Sequence, residues 1–449
     1  MNETKKTIDK KMIFIIITIG IIIFLGISFL IALKNHNENG SSNTDNGDNF
    51  NSSSNNSTTL SGTSITKGGT YKITGNNECV TINTTDSVEL DLENATITCE
   101  SGPAINVESA GKVNVVLTGE NTIKSTTTED LDGAIYSKDD LILSGTGSLN
   151  ITSNYDGIVS KDNLKVISGT YNINSSDDGI RGKDSVVITD GIFNITSGGD
   201  GIKSTNEEDT EKGYINITGG TYTINSVNDG IQAETNLIIK NGIFNIKTTG
   251  DASVDSAKGL KAGLLITFDG GTYNINTTDD GIHSNGNITI NKGEFTINSN
   301  DDGIHADGLI EINDGTFNIN SHEGIEATYV KINGGTINIS ASDDGINAGS
   351  KSSEYSVTIE INGGYITIKM GQGDTDGIDS NGNLYINGGT IDITGQSPFD
   401  YDGTVKYTGG TIIVNGETTN EITNQFMGGG NMGGHGPNQN GGFQNRGMR

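Results

Sequence analysis

Adjacent carboxylates ahead of a glycine recur through this 449-residue chain. Asp177-Asp178-Gly179, Asp279-Asp280-Gly281, Asp301-Asp302-Gly303 and Asp343-Asp344-Gly345 are each followed by isoleucine. Single copies stand at Asp156, Asp200, Asp229, Glu323, Asp376 and Asp402. Such residues do one of two things. An Asp before Gly caps a tight turn by accepting backbone N–H bonds. Carboxylates repeated every ~4.8 Å repel one another unless a cation neutralises them. Oxygen-only ligands, with no Cys or His inside the pairs, favour calcium over zinc. We assign Ca2+ to Asp177, Asp178, Asp200, Asp279, Asp280, Asp301, Asp302, Asp343 and Asp344, and the turn role to the other single copies.

The spacing of these motifs dictates the elements that hold them. Gly157, Gly179 and Gly201 are 22 residues apart, as are Gly259, Gly281 and Gly303. A period near 22 with occasional insertions means a solenoid with one coil per repeat. Within residues 281–302 three short segments alternate apolar and polar at period two, each a strand with one buried face. The expected fold is all-β, a right-handed single-stranded parallel β-helix, since nearly all strand crossovers have that hand. Glycine suits its turns by taking positive φ.

In a β-helix, equivalent positions stack into columns. Tyr171, Phe193, Tyr222, Phe244, Tyr273, Phe295 and Phe317 invite a sugar-stacking reading. Each lies two residues before an isoleucine and shares its face, so this column is core. The residues after Gly-Ile form an outward column: Arg181, Lys203, Gln232, Lys261, His283, His305, Glu326, Asn347 and Asp379. Its mixture of charge and donor type suits a polyhydroxylated or carboxylated polymer, and a plain solvated face explains any single member equally. Tyr365 and Tyr385 are the outward aromatics best placed to stack on sugar.

Lysines at 5, 6, 10 and 11 precede an apolar run at 12–33, long enough to span a bilayer. Residues 1–34 read as an uncleaved membrane anchor with its N-terminus in the cytoplasm; a cleaved signal peptide is the competing reading. Residues 35–59 form an Asn/Ser-rich linker, 60–416 the β-helix with 60–119 as capping coils, and 417–449 a disordered tail. A formal charge of −29 excludes nucleic acid as a main partner. Cys79 and Cys99, about one coil apart, are either a disulfide or two buried thiols. We expect a monomer.

Residues 119–123 (GENTI), 132–139 (DGAIYSKD), 155–158 (YDGI) and above all 177–184 (DDGIRGKD) resemble the clostridial calcium-binding β-helix family of carbohydrate-binding proteins. The resemblance covers about 60–414. It implies an extracellular β-helix, similar in shape to pectate lyases, that binds cellulose or a pectin-type polyuronate such as polygalacturonate without cleaving it. Arg181 is the only arginine in the repeats, and its surroundings lack the Arg-x-Pro-x-x-Arg run of pectate lyases. It leaves a calcium-dependent lyase as the alternative, with a structural stalk or adhesin as the third reading.

Overall fold

The computed structural model describes residues 58–59, 63–127, 129–253, 256–371 and 375–424. The proposed anchor, nearly all of the linker, and the tail beyond 424 lie outside the described residues. The described chain is all strand and turn, with no helix. Its 43 strands join into one continuous sheet that winds as a parallel β-helix.

One coil shows the rule. Ile282–Ser284, Asn287–Ile290 and Glu294–Ser299 are its three strands. They pair in parallel with the next coil, so that His283 meets His305, Ile288 meets Ile310 and Phe295 meets Phe317. We call the three resulting surfaces the first, second and third sheets. The longer repeats keep this register by inserting residues at corners, as between Ser204 and Tyr214.

Alternation places the apolar residues inside. Phe295 is 1% exposed, and its ring stacks on those of Tyr273 and Phe317 at 4.5 and 4.8 Å. The stack runs unbroken from Tyr171 to Phe317 with centroids 4.5–5.2 Å apart. Burying a tyrosine requires a partner for its hydroxyl. Tyr171, Tyr222 and Tyr273 donate to the carbonyls of Ser168, Gly219 and Gly270 at 2.7–2.8 Å.

Two kinds of glycine hold the corners. Those before the third strand, such as Gly293 (φ 145°), take the positive φ expected from the sequence. The Asp-Gly glycines do not. At Gly281 a Cβ would lie 2.4 Å from Ile297 Cγ2 and 2.6 Å from the carbonyl oxygen of Gly303. Those glycines are required because coils approach too closely for any side chain.

Both ends depart from the sequence reading. The coils before residue 119 continue the same sheets, with second and third strands fused in Gly69–Asn77 and Ser87–Cys99. Thr58–Thr59, at the end of the expected linker, already pairs with Tyr71 and Lys72. Cys79 and Cys99 are bridged. At the other end Thr411–Val414 turns back through Asn415 and Gly416, both at positive φ, into Glu417–Thr419. That two-residue turn makes the only antiparallel strand pairing among the described residues, inside the expected tail.

Candidate functional site

The aspartate before each Asp-Gly glycine sits at the start of a first-sheet strand. Its Oδ1 accepts a backbone N–H from the equivalent residue of the following coil. Asp156 accepts from Asp178 N at 2.9 Å, Asp178 from Asp200 N, Asp200 from Asp229 N and Asp229 from Lys258 N, each at 2.8 Å. Asp280 accepts from Asp302 N at 3.1 Å and Asp344 from Asp376 N at 3.0 Å. The turn role expected of single copies thus becomes a ladder between coils, and doubled copies share it.

Oδ2 of these aspartates faces the neighbouring column three residues on. The pairings place Arg181, Lys203, Gln232, Lys261, His283, His305, Glu326, Asn347 and Asp379 in one register, as the sequence periodicity requires. The column is not an open row of free donors, however. Arg181 binds Asp132 and Asp156 and lies 3.6 Å from Asp178. Lys203 lies 2.7 Å from Asp200, Lys261 3.4 Å from Asp229, and His283 Nδ1 2.8 Å from Asp280. His305 Nδ1 is 2.6 Å from Asp302 and 2.9 Å from Glu326. The chain's own side chains supply the cations that the carboxylate spacing demands.

Burial and these partners set the protonation states. Burial lifts Asp156, Asp178 and Asp200 to about 6, against the pull of Arg181 and Lys203. For Arg181, burial disfavours the charge, but Asp156 and Asp132 outweigh it and hold the guanidinium protonated. Burial likewise opposes charge on His305; Asp302 and Glu326 overcome it and raise the imidazole to about 10. Burial would raise Glu326, yet His305 and Lys351 hold it down to about 2.

Seven of the nine expected metal ligands lie in clusters of possible ligand atoms, Asp302 with His305 and Glu326. Asp279 and Asp280 clasp Lys258 Nζ at 2.8 and 2.7 Å, with Asp301 close enough to share a centre. Asp177 is exposed beside Asp156 and Asp178, whose oxygens already serve Arg181 and the ladder. Asp343 faces His322 and Glu323. Asp344 belongs to a different environment, where Asp379 replaces the basic residues of its column and meets Asp400 in the next coil. Burial, then Asp344, Asp376, Asp400 and Asp402, push Asp379 up to about 7. Asn347 is 8% exposed and donates backward through Nδ2 to Glu323 and Glu326. Its Oδ1 is buried without a hydrogen-bond partner.

Tyr365 and Tyr385 do not share a surface. Tyr385 aligns with Glu360 and Lys406 on the second sheet, and Lys406 Nζ sits 4.9 Å over its ring. Tyr365 aligns with Thr336 and Thr390 on the third sheet, where it is 48% exposed. Two residues on along the same strand, Thr367 helps line a groove of about 320 Å3 whose floor includes Ile297, Ile319 and Ile339 beneath amide and hydroxyl walls. Sequence reasoning missed the corner ladder in which Asn313, Asn333, Asn362 and Asn387 each donate to the amide one coil earlier at 2.8–3.0 Å. Asparagine recurring at one position of five successive coils, Asn291, Asn313, Asn333, Asn362 and Asn387, was the available signal.

The described residues form a winding of parallel strands with polar columns on its outward faces. A family model described as "Carbohydrate-binding domain-containing protein" matches residues 61–303 and 299–427, and the chain belongs to that family. Among solved structures it is similar to the polysaccharide lyase-like protein from C. thermocellum, a gadolinium derivative. That likeness has 27% identity and a TM-score of 0.37, covering 51% of this chain and 86% of the other. No curated protein matches the chain.

Proposed function

We propose that the chain binds polysaccharide outside the cell, with cellulose or a pectin-type polyuronate as ligand, and does not cleave it. The observation that carries this reading is the state of Arg181. A lyase needs a neutral base to remove the proton α to a uronate carboxyl. Arg181 is clamped between acids that keep it protonated. Family membership supports the ligand class. The lysine-flanked run at 12–33 supports attachment to the cell membrane, and the Cys79–Cys99 bridge supports an oxidising compartment.

Calcium belongs to this reading at one end of the Asp column. Around Asp178, Asp200, Asp280 and Asp302 basic side chains occupy the positions an ion needs. Around Asp379 the charged neighbours are the carboxylates of Asp344, Asp376, Asp400 and Asp402. Carboxylates gathered in this way suit a hard cation between them. Calcium held there would offset part of the −29 charge and let a polyuronate approach.

The test is affinity electrophoresis of the full-length chain against hydroxyethylcellulose and polygalacturonate, with and without calcium, beside a lyase assay. Retention without unsaturated product is the expected result. Product abolished by Arg181→Ala would make the protein a lyase, and retention by neither polymer would leave a structural stalk.

A further inference from the structure

Three of the six large hydrophobic side chains exposed among the described residues lie in one column of the third sheet. They are Ile192, Ile243 and Tyr365, at 48, 51 and 48% exposure. Threonine or glutamate fills most other positions of that column, from Thr170 and Thr221 to Glu294 and Thr390. Ile192 and Ile243 are two coils apart, roughly 9.6 Å along the axis. On the same face the next two outward columns are mostly amides and hydroxyls. Together with Ile297, Ile319 and Ile339 they form the groove whose walls include Asn318, Asn338 and Lys369. Asn338 donates to Asn318 at 3.1 Å, a bond that leaves further donors and acceptors on both amides for a ligand.

Resting on the polysaccharide reading above, we infer that the glycan lies along the outward face of the third sheet, over this groove. Tyr365 is its stacking platform, and its class is a neutral, extended β-linked glucan. A sugar ring with equatorial hydroxyls presents a flat C–H face and a polar rim. The flat face suits Tyr365 and the isoleucines; the rim suits the amide columns. The groove lining carries one charged residue, Lys369, whereas the carboxylates that would repel a polyuronate line the first sheet. The first-sheet donors are held by those carboxylates, but the third-sheet face is open.

The test titrates the full-length chain with cellohexaose by calorimetry and repeats it with oligogalacturonate. Tyr365→Thr, the residue usual in that column, should weaken cellohexaose binding about tenfold, the factor that roughly 1.4 kcal/mol produces. Tyr365→Phe should retain affinity, and Tyr385→Ala, on the second sheet, should leave it unchanged. Melting curves confirm that each variant folds. Wild-type affinity in both Tyr365→Thr and Asn320→Ala, with the parent chain still binding, would overturn this face while sparing the polysaccharide reading. Binding of oligogalacturonate alone would overturn the glycan class. Binding of neither sugar would overturn both conclusions.

Discussion

Arg181 behaves as a structural cation, and that assignment makes a strong demand. Removing it leaves the buried carboxylate of Asp156 without its counter-charge. Arg181→Ala should cost about 3–5 kcal/mol in urea unfolding, the usual penalty for breaking a buried pair. The aspartates themselves predict a pH dependence. Asp156, Asp178 and Asp200 titrate at about 6 folded against 3.8 unfolded, so the folded chain binds more protons between those values. Stability therefore falls as pH rises through that window. His305 has the same sign later: its contribution is complete below 6.5 and lost as pH rises toward its folded value of about 10. Glu326 works oppositely, losing its contribution only as pH falls from 4.5 toward 2. The melting temperature should be highest near about pH 4 and decline from there to about pH 8; a flat profile would contradict these protonation states.

Each coil succeeds or fails by how closely it seats on the next. Gly281→Ala forces a methyl group against Ile297 and the Gly303 carbonyl, and should destabilise by about 1–3 kcal/mol or more. Phe244→Ala opens a gap in a continuous ring stack and should cost about 3–5 kcal/mol. Thermal melting of the two variants beside the parent checks both. These elements were largely legible in the sequence. Period-two alternation put Phe295 inside, and the repeat aligned Arg181 with Asp379 across eight intervening steps of register. What alternation does not encode is how far a side chain reaches sideways. It therefore left Lys203 and His283 facing solvent, whereas each bends onto the aspartate three residues earlier. It likewise offered Tyr365 and Tyr385 together as stacking candidates, although they project from different sheets. The role of the Asp-Gly glycines was misread for a related reason: the crowding at Gly281 comes from another coil, not from its own turn.

For the molecule as a whole, charge is the dominant quantity. With −29 spread along the repeats, Asp379 stands among the carboxylates of Asp344, Asp376, Asp400 and Asp402. A cation bound only by the folded chain stabilises it by mass action, ~2.7 kcal/mol at a hundredfold excess over Kd. Millimolar calcium should raise the melting temperature of EDTA-treated protein, and Asp379→Asn should remove most of that rise. An equal melting temperature with and without calcium would refute the site.

The strand that folds back at Glu417–Thr419 bears on solubility. A parallel winding ends in a row of unsatisfied backbone groups whose polarity matches the first coil of another copy, an invitation to linear polymerisation. The reversed strand covers part of that row with the opposite polarity, pairing Ile412 with Thr419 and Val414 with Glu417. A chain truncated after Val414 should form filaments, visible as light scattering that grows with concentration, at concentrations where the intact chain stays dispersed.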